Sequence, residues 1–539
     1  MSHPIGIDLG TTYSAIAKWV SRVAFTGSDP YHIPLENSYT LPSKVFVELD
    51  EDTGEKDFVI GKIAIGRGIA SPDQFVTAVK RKMDDANYKY SILEEEFSPV
   101  DISAQILMHL LDIVDGVEGK GQYVPAGIVV SVPYYFKQHQ NINTKEAALK
   151  AIRALYKDRK IQGSVDDIFL ELIGEPIAAG LDYAFNRDAG DNKENILVFD
   201  LGGGTFDLTI FTLEQKDKKI KFTVKAVDGD DRLGGEDFDH SFFKWMCDHE
   251  NINLDELDDK TKNRALKSIQ PALTDVKHTL AGVKRTDLTI PQAIGGKSIE
   301  IDPVKRSDFE SCISGKSGIK KDYIGEIEFK LEKVLEKADF SYSDIDYVLA
   351  VGGSTQIPRI KEIIVDKFGI NKLKDAGDIN LAVVKGATIY ASYLLDEKLA
   401  KENKPRKYLD KWDNIEIEMV TPHQLGIDLE GKFFSILKDN SLTPSSKTEK
   451  FEPTKLSDDG KKAILEKIVV LQGEPNDYSK VGEIELEDIY THGRSLSNIP
   501  IHITFTAKDS SIITVTINIK QGNADKSDFI READLKLCE

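Results

Sequence analysis

The feature that most limits what this chain can fold into is a short string that occurs twice. Residues 196–207 run apolar Ile196, Leu197, Val198 and Phe199 into Asp200, then Leu201, three glycines at 202–204, and Thr205. Residues 5–13 repeat the grammar, with Ile5, Gly6 and Ile7 leading into Asp8, Leu9, Gly10, Thr11, Thr12 and Tyr13. An apolar run bounded by glycines reads as a buried strand entering a tight turn. Glycines in such a turn bring backbone N–H groups close to an anion, so each copy is a candidate phosphate nest with a carboxylate at the strand end. The copies lie 192 positions apart (8 to 200), which argues for two similar α/β halves rather than a short-period solenoid. A third apolar run, Tyr347 to Val351, ends in Gly352, Gly353 and Ser354.

Between these anchors the pattern alternates. Short strands and turns are expected over 21–70, a helix start within 72–83, a helix over 101–115 and a buried strand over 126–133. Further helices are expected over 144–156, 261–283, 320–338 and 380–399, with strands near 207–213 and 221–227. From 397 to 413 the composition turns to Lys, Glu, Asn and Asp, which reads as a solvated hinge at a domain boundary. After Ile415 the period becomes two, with strands at 423–429, 432–438, 463–471, 481–486, 500–507 and 511–519, an all-β module. The division expected is 1–396, a duplicated α/β domain around a nucleotide cleft; 397–419, a charged linker; 420–520, a β-sandwich-like domain; and 521–539, a short tail.

At 539 residues the chain is too long for one core. Seventy basic against ninety acidic residues give a net charge of −20, which speaks against nonspecific nucleic-acid binding. Cys247, Cys312 and Cys538 form no paired spacing, as in a reducing compartment. No leader pattern opens the sequence, and no apolar run approaches the about 18 residues of a membrane span. The expectation is a cytoplasmic protein with no membrane or nucleic-acid partner. Gly296-Lys297-Ser298 and Gly315-Lys316-Ser317 resemble the end of a P-loop, but Pro291 and Glu310 stand where its first glycine belongs.

The chemistry these parts suit is phosphoryl transfer, which is mostly positioning and charge neutralisation. Asp8 and Asp200 suit Mg²⁺, which keeps several waters and takes few direct ligands. The N–H groups of Gly10–Tyr13 and Gly202–Thr205 would hold phosphates from two sides.

The strings IGIDLGTTYS, VKR (79–81), VPYYF (132–136), GEPIAAGL (174–181), VFDLGGGTFD, LGGEDFD, VGGSTQIP, VTPHQLGI (420–427) and VLQGE (470–474) together resemble the heat-shock-protein-70 chaperone family of the actin-like ATPase superfamily. The resemblance implies ATP and ADP as ligands with Mg²⁺. It implies Lys80 as catalytic lysine and Glu175 near the attacking water or the metal's water shell. Asp8 and Asp200 would sit on the Mg²⁺ shell through water, and Thr11 and Thr205 on the γ-phosphate. Gly10, Thr12, Tyr13, Gly202, Gly203 and Gly204 would line the phosphates. Gly235, Glu236, Lys277, His278, Gly352, Gly353 and Ser354 would line the nucleoside, with Lys277 on the ribose. In the β-domain it implies unfolded or extended polypeptides as partners, with Leu425, Ile427, Leu429, Phe451 and Ile468 as candidate contacts, and no helical lid beyond residue 520.

The sequence departs from the family at several of these places. Thr274, His278, Ala281, Gln356 and Asn380 alter the base pocket and remove two guanidinium planes, which implies modest ATP affinity. Glu171 replaces a basic residue where a J-domain co-chaperone docks, so a standard J-protein partner is not expected, and the exchange factor is left open. Residues 414–419 replace a leucine-rich linker with an alternating segment able to add to a sheet edge. Glu466 falls near the central peptide pocket. Two other readings remain open: a nucleotide-sensing or assembly module with little turnover, and a small-molecule kinase of the same superfamily.

Overall fold

The computed structural model describes residues 2–21, 28–35, 38–50, 52–85, 87–118, 124–159, 164–187, 192–294, 297–316, 321–375, 381–458, 460–463, 467–474, 477–486, 489–490, 495–496, 499–507, 513–519 and 529–535. Gly296, Ser317, Asn380, Glu466 and Cys538 lie outside them. The chain divides into two compact units, the first made of Met1–Tyr134, Asn143–Phe222 and Asp228–Glu416, the second of Tyr135–Ile142, Thr223–Val227 and Ile417–Glu539.

The duplication read from the two Asp-Leu-Gly strings is visible as topology in the first unit. One sheet runs Phe169–Gly174, Gly127–Val132, Pro4–Asp8, Tyr13–Ser21, Ser28–His32. The other runs Leu373–Asp375, Tyr347–Val351, Asn192–Leu201, Phe206–Lys216, Lys219–Asp230, with Asn414–Glu418 added at its edge. In each, the strand carrying the aspartate pairs in parallel on one side, Asp8 with Ser131 and Asp200 with Val351, and closes an antiparallel hairpin on the other. Gly127–Val132 is buried at every residue, as a central parallel strand covered on both faces must be. The helices Glu175–Phe185 and Ala382–Lys401 pack on each other so closely that a Cβ on Gly386 would lie 1.7 Å from the Ala178 carbonyl oxygen.

Several local expectations are corrected. Lys62–Ala70 is a helix rather than part of a run of strands. The expected helix start at 72–83 is instead two 3₁₀ turns, Pro72–Gln74 and Val79–Lys82, flanking the short strand Phe75–Val76. The hairpin Arg285–Ile294 with Lys297–Lys305 was not anticipated. The largest correction concerns 397–413, whose charged composition reads as a solvated hinge. Asp396 is fully buried and accepts the backbone N–H groups of Lys407 (2.7 Å), Tyr408 (3.1 Å) and Leu409 (2.7 Å). Lys411 Nζ donates to the Ala184 carbonyl (3.4 Å), the Arg187 carbonyl (2.9 Å) and that of Phe185, capping the last turn of Glu175–Phe185. Trp412 is wholly buried against Phe185, which in turn meets Trp19 edge-on. The segment is a strap fastened to the first unit. It delivers the chain to Asn414–Glu418, which adds to the sheet edge as its alternation allowed, with Lys221 Nζ 3.1 Å from Glu416.

The second unit holds two four-stranded antiparallel sheets. One is ordered Lys432–Leu437, Gln424–Leu429, Lys467–Glu474, Asp477–Glu485; the other Ser445–Phe451, Ile501–Ala507, Ile513–Ile519, Phe529–Leu535. Ile501, Ile503, Phe505 and Ala507 alternate inward with partly exposed residues, the pattern of a sandwich strand with one dry face. Ser445–Phe451 and Phe529–Leu535 are strands absent from the sequence reading, the latter within the expected tail.

Candidate nucleotide site

The two strand-end turns face each other across a cavity of about 650 Å³ within the first unit. Asp8, Gly10, Thr11, Thr12, Tyr13, Lys80, Glu175, Asp200, Gly202, Gly203, Thr205, Gly235, Glu236, Lys277, His278, Gly352, Gly353 and Ser354 all line it. The approach is close: a Cβ on Gly203 would stand 1.8 Å from Thr12 Oγ1, so only glycine fits there. The second turn is closed by the Gly202 N–H donating to the Thr205 carbonyl (3.0 Å), which removes that N–H from the set expected to meet phosphate. Gly204, expected as a phosphate contact, does not line the cavity; its carbonyl accepts from Arg81. Ser354 Oγ donates to the Gly202 carbonyl (2.8 Å), tying the third glycine turn to the second.

At the centre, Lys80 Nζ lies 2.7 Å from Glu175 Oε1, both side chains almost fully buried. Glu175 opens the helix Glu175–Phe185 with Pro176 beside it, where the helix dipole favours a negative charge. Burial works against the Lys80 charge, but the carboxylates of Glu175, Asp8 and Asp207 outweigh it and hold the ammonium above its ordinary range. Asp8 is pushed up to about 6, chiefly by burial and then by Glu175, against the pull of Lys80 and of the Ser131 hydroxyl at 2.9 Å. Asp200 is raised well above the usual carboxylate range by burial, then by Glu175, Asp207 and Asp8. This surplus of buried negative charge is the donor set a hydrated divalent cation fits. Among the described residues no three Asp, Glu, His or Cys side chains converge as a direct metal cage.

The nucleoside end departs from expectation. Lys277, assigned to a ribose, has its Nζ 2.7 Å from Asp239 Oδ1 and 3.1 Å from the Gly235 carbonyl. Thr274 donates to the same Asp239 at 2.9 Å. Asp239 is one helix away, so nothing in the sequence near Lys277 signals the pair. Thr274, His278, Ala281 and Gln356 do line the cavity. Sequence reasoning missed the clasp across it: Glu236 takes Lys44 at 3.1 Å and Gln270 at 2.9 Å. Burial pushes Glu236 up, yet Lys44 and Arg81 prevail and hold it below its ordinary value.

In the second unit three of the five candidate peptide contacts are buried. Leu425, Ile427 and Ile468 belong to the buried core of the sandwich rather than to its surface. Leu429 is exposed, and Phe451 is partly buried, edge-on to Phe434 at 5.4 Å. Glu171 lies on the outermost strand of its sheet and accepts the Tyr390 hydroxyl at 3.3 Å.

The duplicated sheets, the facing turns and the sandwich define a two-lobed nucleotide-binding domain of actin-like architecture joined to a β-sandwich. The family model described as Hsp70 protein matches residues 4–536. The chain is similar to two curated relatives, each described as "Chaperone protein DnaK", from Halobacterium salinarum strain ATCC 29341 / DSM 671 / R1 and strain ATCC 700922 / JCM 11081 / NRC-1. Both are 31% identical over 454 residues, which is 83% of this chain and 62% of the relatives' length. The chain belongs to the Hsp70 family, whose members are ATPases that use ATP and ADP with Mg²⁺. Among the described residues no helix is long and apolar enough to cross a membrane.

Proposed function

We propose that this chain binds ATP and ADP in the cleft between its two duplicated halves, hydrolyses ATP slowly, and uses the cycle to bias polypeptide binding by its β-sandwich in the cytoplasm. The observation that carries the reading is the buried Lys80–Glu175 ion pair between two facing glycine turns, each preceded by a strand-end aspartate, Asp200 buried and Asp8 partly so. Asp8 and Asp200 would hold Mg²⁺ through its waters, and a bound ion would neutralise charge on the phosphates. Glu175 keeps Lys80 charged, so Lys80 orients the attacking water and stabilises developing charge rather than accepting a proton. The water oxygen bonds to the γ-phosphorus, the bond to the ADP oxygen breaks with its electron pair, and the proton leaves with phosphate. Thr11 and Thr205 flank the transferred group.

A second reading, a nucleotide sensor with little turnover, is favoured by Lys277, whose ammonium is already held by Asp239 and Gly235 rather than offered to a ribose. Steady-state ATP hydrolysis by the wild type, Lys80→Ala and Thr205→Ala separates the two. The enzyme reading expects turnover in the wild type that falls by about 10²-fold or more in Lys80→Ala. Equal, background rates in all three favour the sensor. Peptide-array binding in ATP and in ADP tests the coupling, and identical profiles would remove the chaperone cycle.

A further inference from the structure

The turn that presents Lys80 presents a second cation that the reaction as described does not use. Val79–Lys82 is a 3₁₀ turn entered through Ala78 at a positive φ of 51°. Lys80 points to Glu175, whereas the next residue crosses to the other half of the domain. Arg81 Nε and Nη2 donate to the Gly204 carbonyl at 3.2 and 2.8 Å, Nη1 donates to Asp237 Oδ1 at 3.2 Å, and Nη2 also meets Asp237 Oδ2. Gly204 lies within the second phosphate turn. Asp237 lies in the first turn of the helix Gly235–His249, and its Oδ2 accepts the Gly234 N–H at 2.9 Å. The Glu236 N–H donates to the Gly203 carbonyl at 2.7 Å, so phosphate turn and helix start form one hydrogen-bonded block.

We propose that Arg81 is a positioning residue: its fork on Gly204 and Asp237 sets the register of Lys80 against the second phosphate turn, so that Lys80 reaches its hydrolytic position only when the two halves are closed. A guanidinium holds two acceptors at a fixed angle, and an ammonium cannot. Because Lys80 and Arg81 are consecutive in one tight turn, loss of the Arg81 anchor shifts Lys80 by a comparable distance. The inference rests on the ATPase reading above. A role in stability alone would change melting temperature and nucleotide affinity, whereas the register role changes the chemical step.

The test uses the full chain as wild type, Arg81→Lys, Arg81→Ala and Asp237→Asn. Single-turnover ATP hydrolysis is expected to fall about 30- to 100-fold in both Arg81 variants, since a misplacement near 1 Å has that scale of effect. Fluorescent-ADP affinity should stay within about threefold, because the phosphate contacts themselves remain. Combining Arg81→Ala with Asp237→Asn should add little to Arg81→Ala alone. A wild-type rate in Arg81→Lys, or parallel losses of rate and affinity, overturns the proposal. If the wild type shows no turnover above Lys80→Ala, the ATPase reading fails, and hydrogen exchange of residues 200–207 with ADP decides the register link separately. Protection lost in Arg81→Lys supports it, and unchanged protection refutes it.

Discussion

Replacing Asp396 by alanine should release the strap that precedes the linker strand while leaving the rest of the first unit intact. The carboxylate is completely buried and takes three successive backbone N–H groups, those of Lys407, Tyr408 and Leu409. Their environments differ. Leu409 is 2% exposed, so its N–H would be left without water, whereas Lys407 is open to solvent and Tyr408 half-buried. Hydrogen bonds to a charged acceptor are worth about 1.5–3 kcal/mol each, and an orphaned buried N–H costs about the same. Removing a buried charge returns part of its desolvation cost, so a net local loss of about 3 kcal/mol is expected. At 1.4 kcal/mol per tenfold, that is about a 10²-fold increase in local opening. Native-state hydrogen exchange reads it directly: amides 407–409 should exchange about 10²-fold faster, with the central strand Gly127–Val132 unchanged. Exchange at Tyr408 and Leu409 within threefold of wild type, or an equal rise throughout the unit, would refute the argument that Asp396 fastens this segment.

Gly386→Ala forces a Cβ to within 1.7 Å of the Ala178 carbonyl oxygen, so the two helices must separate. Overpacking of this kind costs about 1–3 kcal/mol or more, and the urea midpoint should drop accordingly. Asp182 is raised to about 6 by burial, opposed by Lys385 and by Asn186, so the folded state takes up a proton between its unfolded value of 3.8 and about 6. Stability on this account falls as pH rises through that window. Asp182→Asn, which can still accept from Asn186, should flatten the fall and gain about 1–3 kcal/mol relative to wild type at pH 7; an unchanged pH profile by urea titration would count against it. Glu236→Gln removes the charge that holds Lys44 across the cleft. ADP dissociation, followed by stopped-flow fluorescence, should quicken by about tenfold, and an unchanged off-rate would show that the clasp does not limit release.

The phosphate half of the site was legible because it is written twice. An aspartate at the end of a buried strand, followed by glycines, dictates strand and turn from local chemistry alone, and both copies form such strand ends lining one cavity. The strap was illegible for the opposite reason. Lysines and glutamates over 397–413 report polarity, but whether a polar segment is solvated depends on which distant group accepts its N–H groups, here Asp396, Ala184 and Phe185. The β-domain failed in a third way. Period-two alternation separates two faces of Gln424–Leu429 without saying which is inward, and the sandwich claimed Leu425 and Ile427 for its core. Lys277 shows the same limit at single-residue scale: its partner Asp239 lies on another helix.

These corrections also relocate the freedom in the linker. The second phosphate turn joins Asn192–Leu201 to Phe206–Lys216, the next strand outward is Lys219–Asp230, and the linker strand Asn414–Glu418 is the one beyond. A change at Thr205 is therefore separated from the linker by two strands of one continuous hydrogen-bonded sheet. At its entry the linker strand is held twice, by the strap with its buried Trp412 and by the Asp413 N–H donating to the Lys218 carbonyl at 2.7 Å. Tyr393 adds a third hold, its hydroxyl donating to Asn414 Oδ1 at 3.2 Å. Further on the strand is held by its edge hydrogen bonds, by the Lys221–Glu416 ion pair at 3.1 Å and by the Thr223 hydroxyl donating to Glu418 at 3.0 Å, contacts exposed enough to unzip from the far end while the entry stays fastened. Release, if the nucleotide drives it, has to begin at Glu418 and stop at Asn414, so the moving segment is a few residues long rather than the seventeen-residue hinge that the charge pattern over 397–413 suggests.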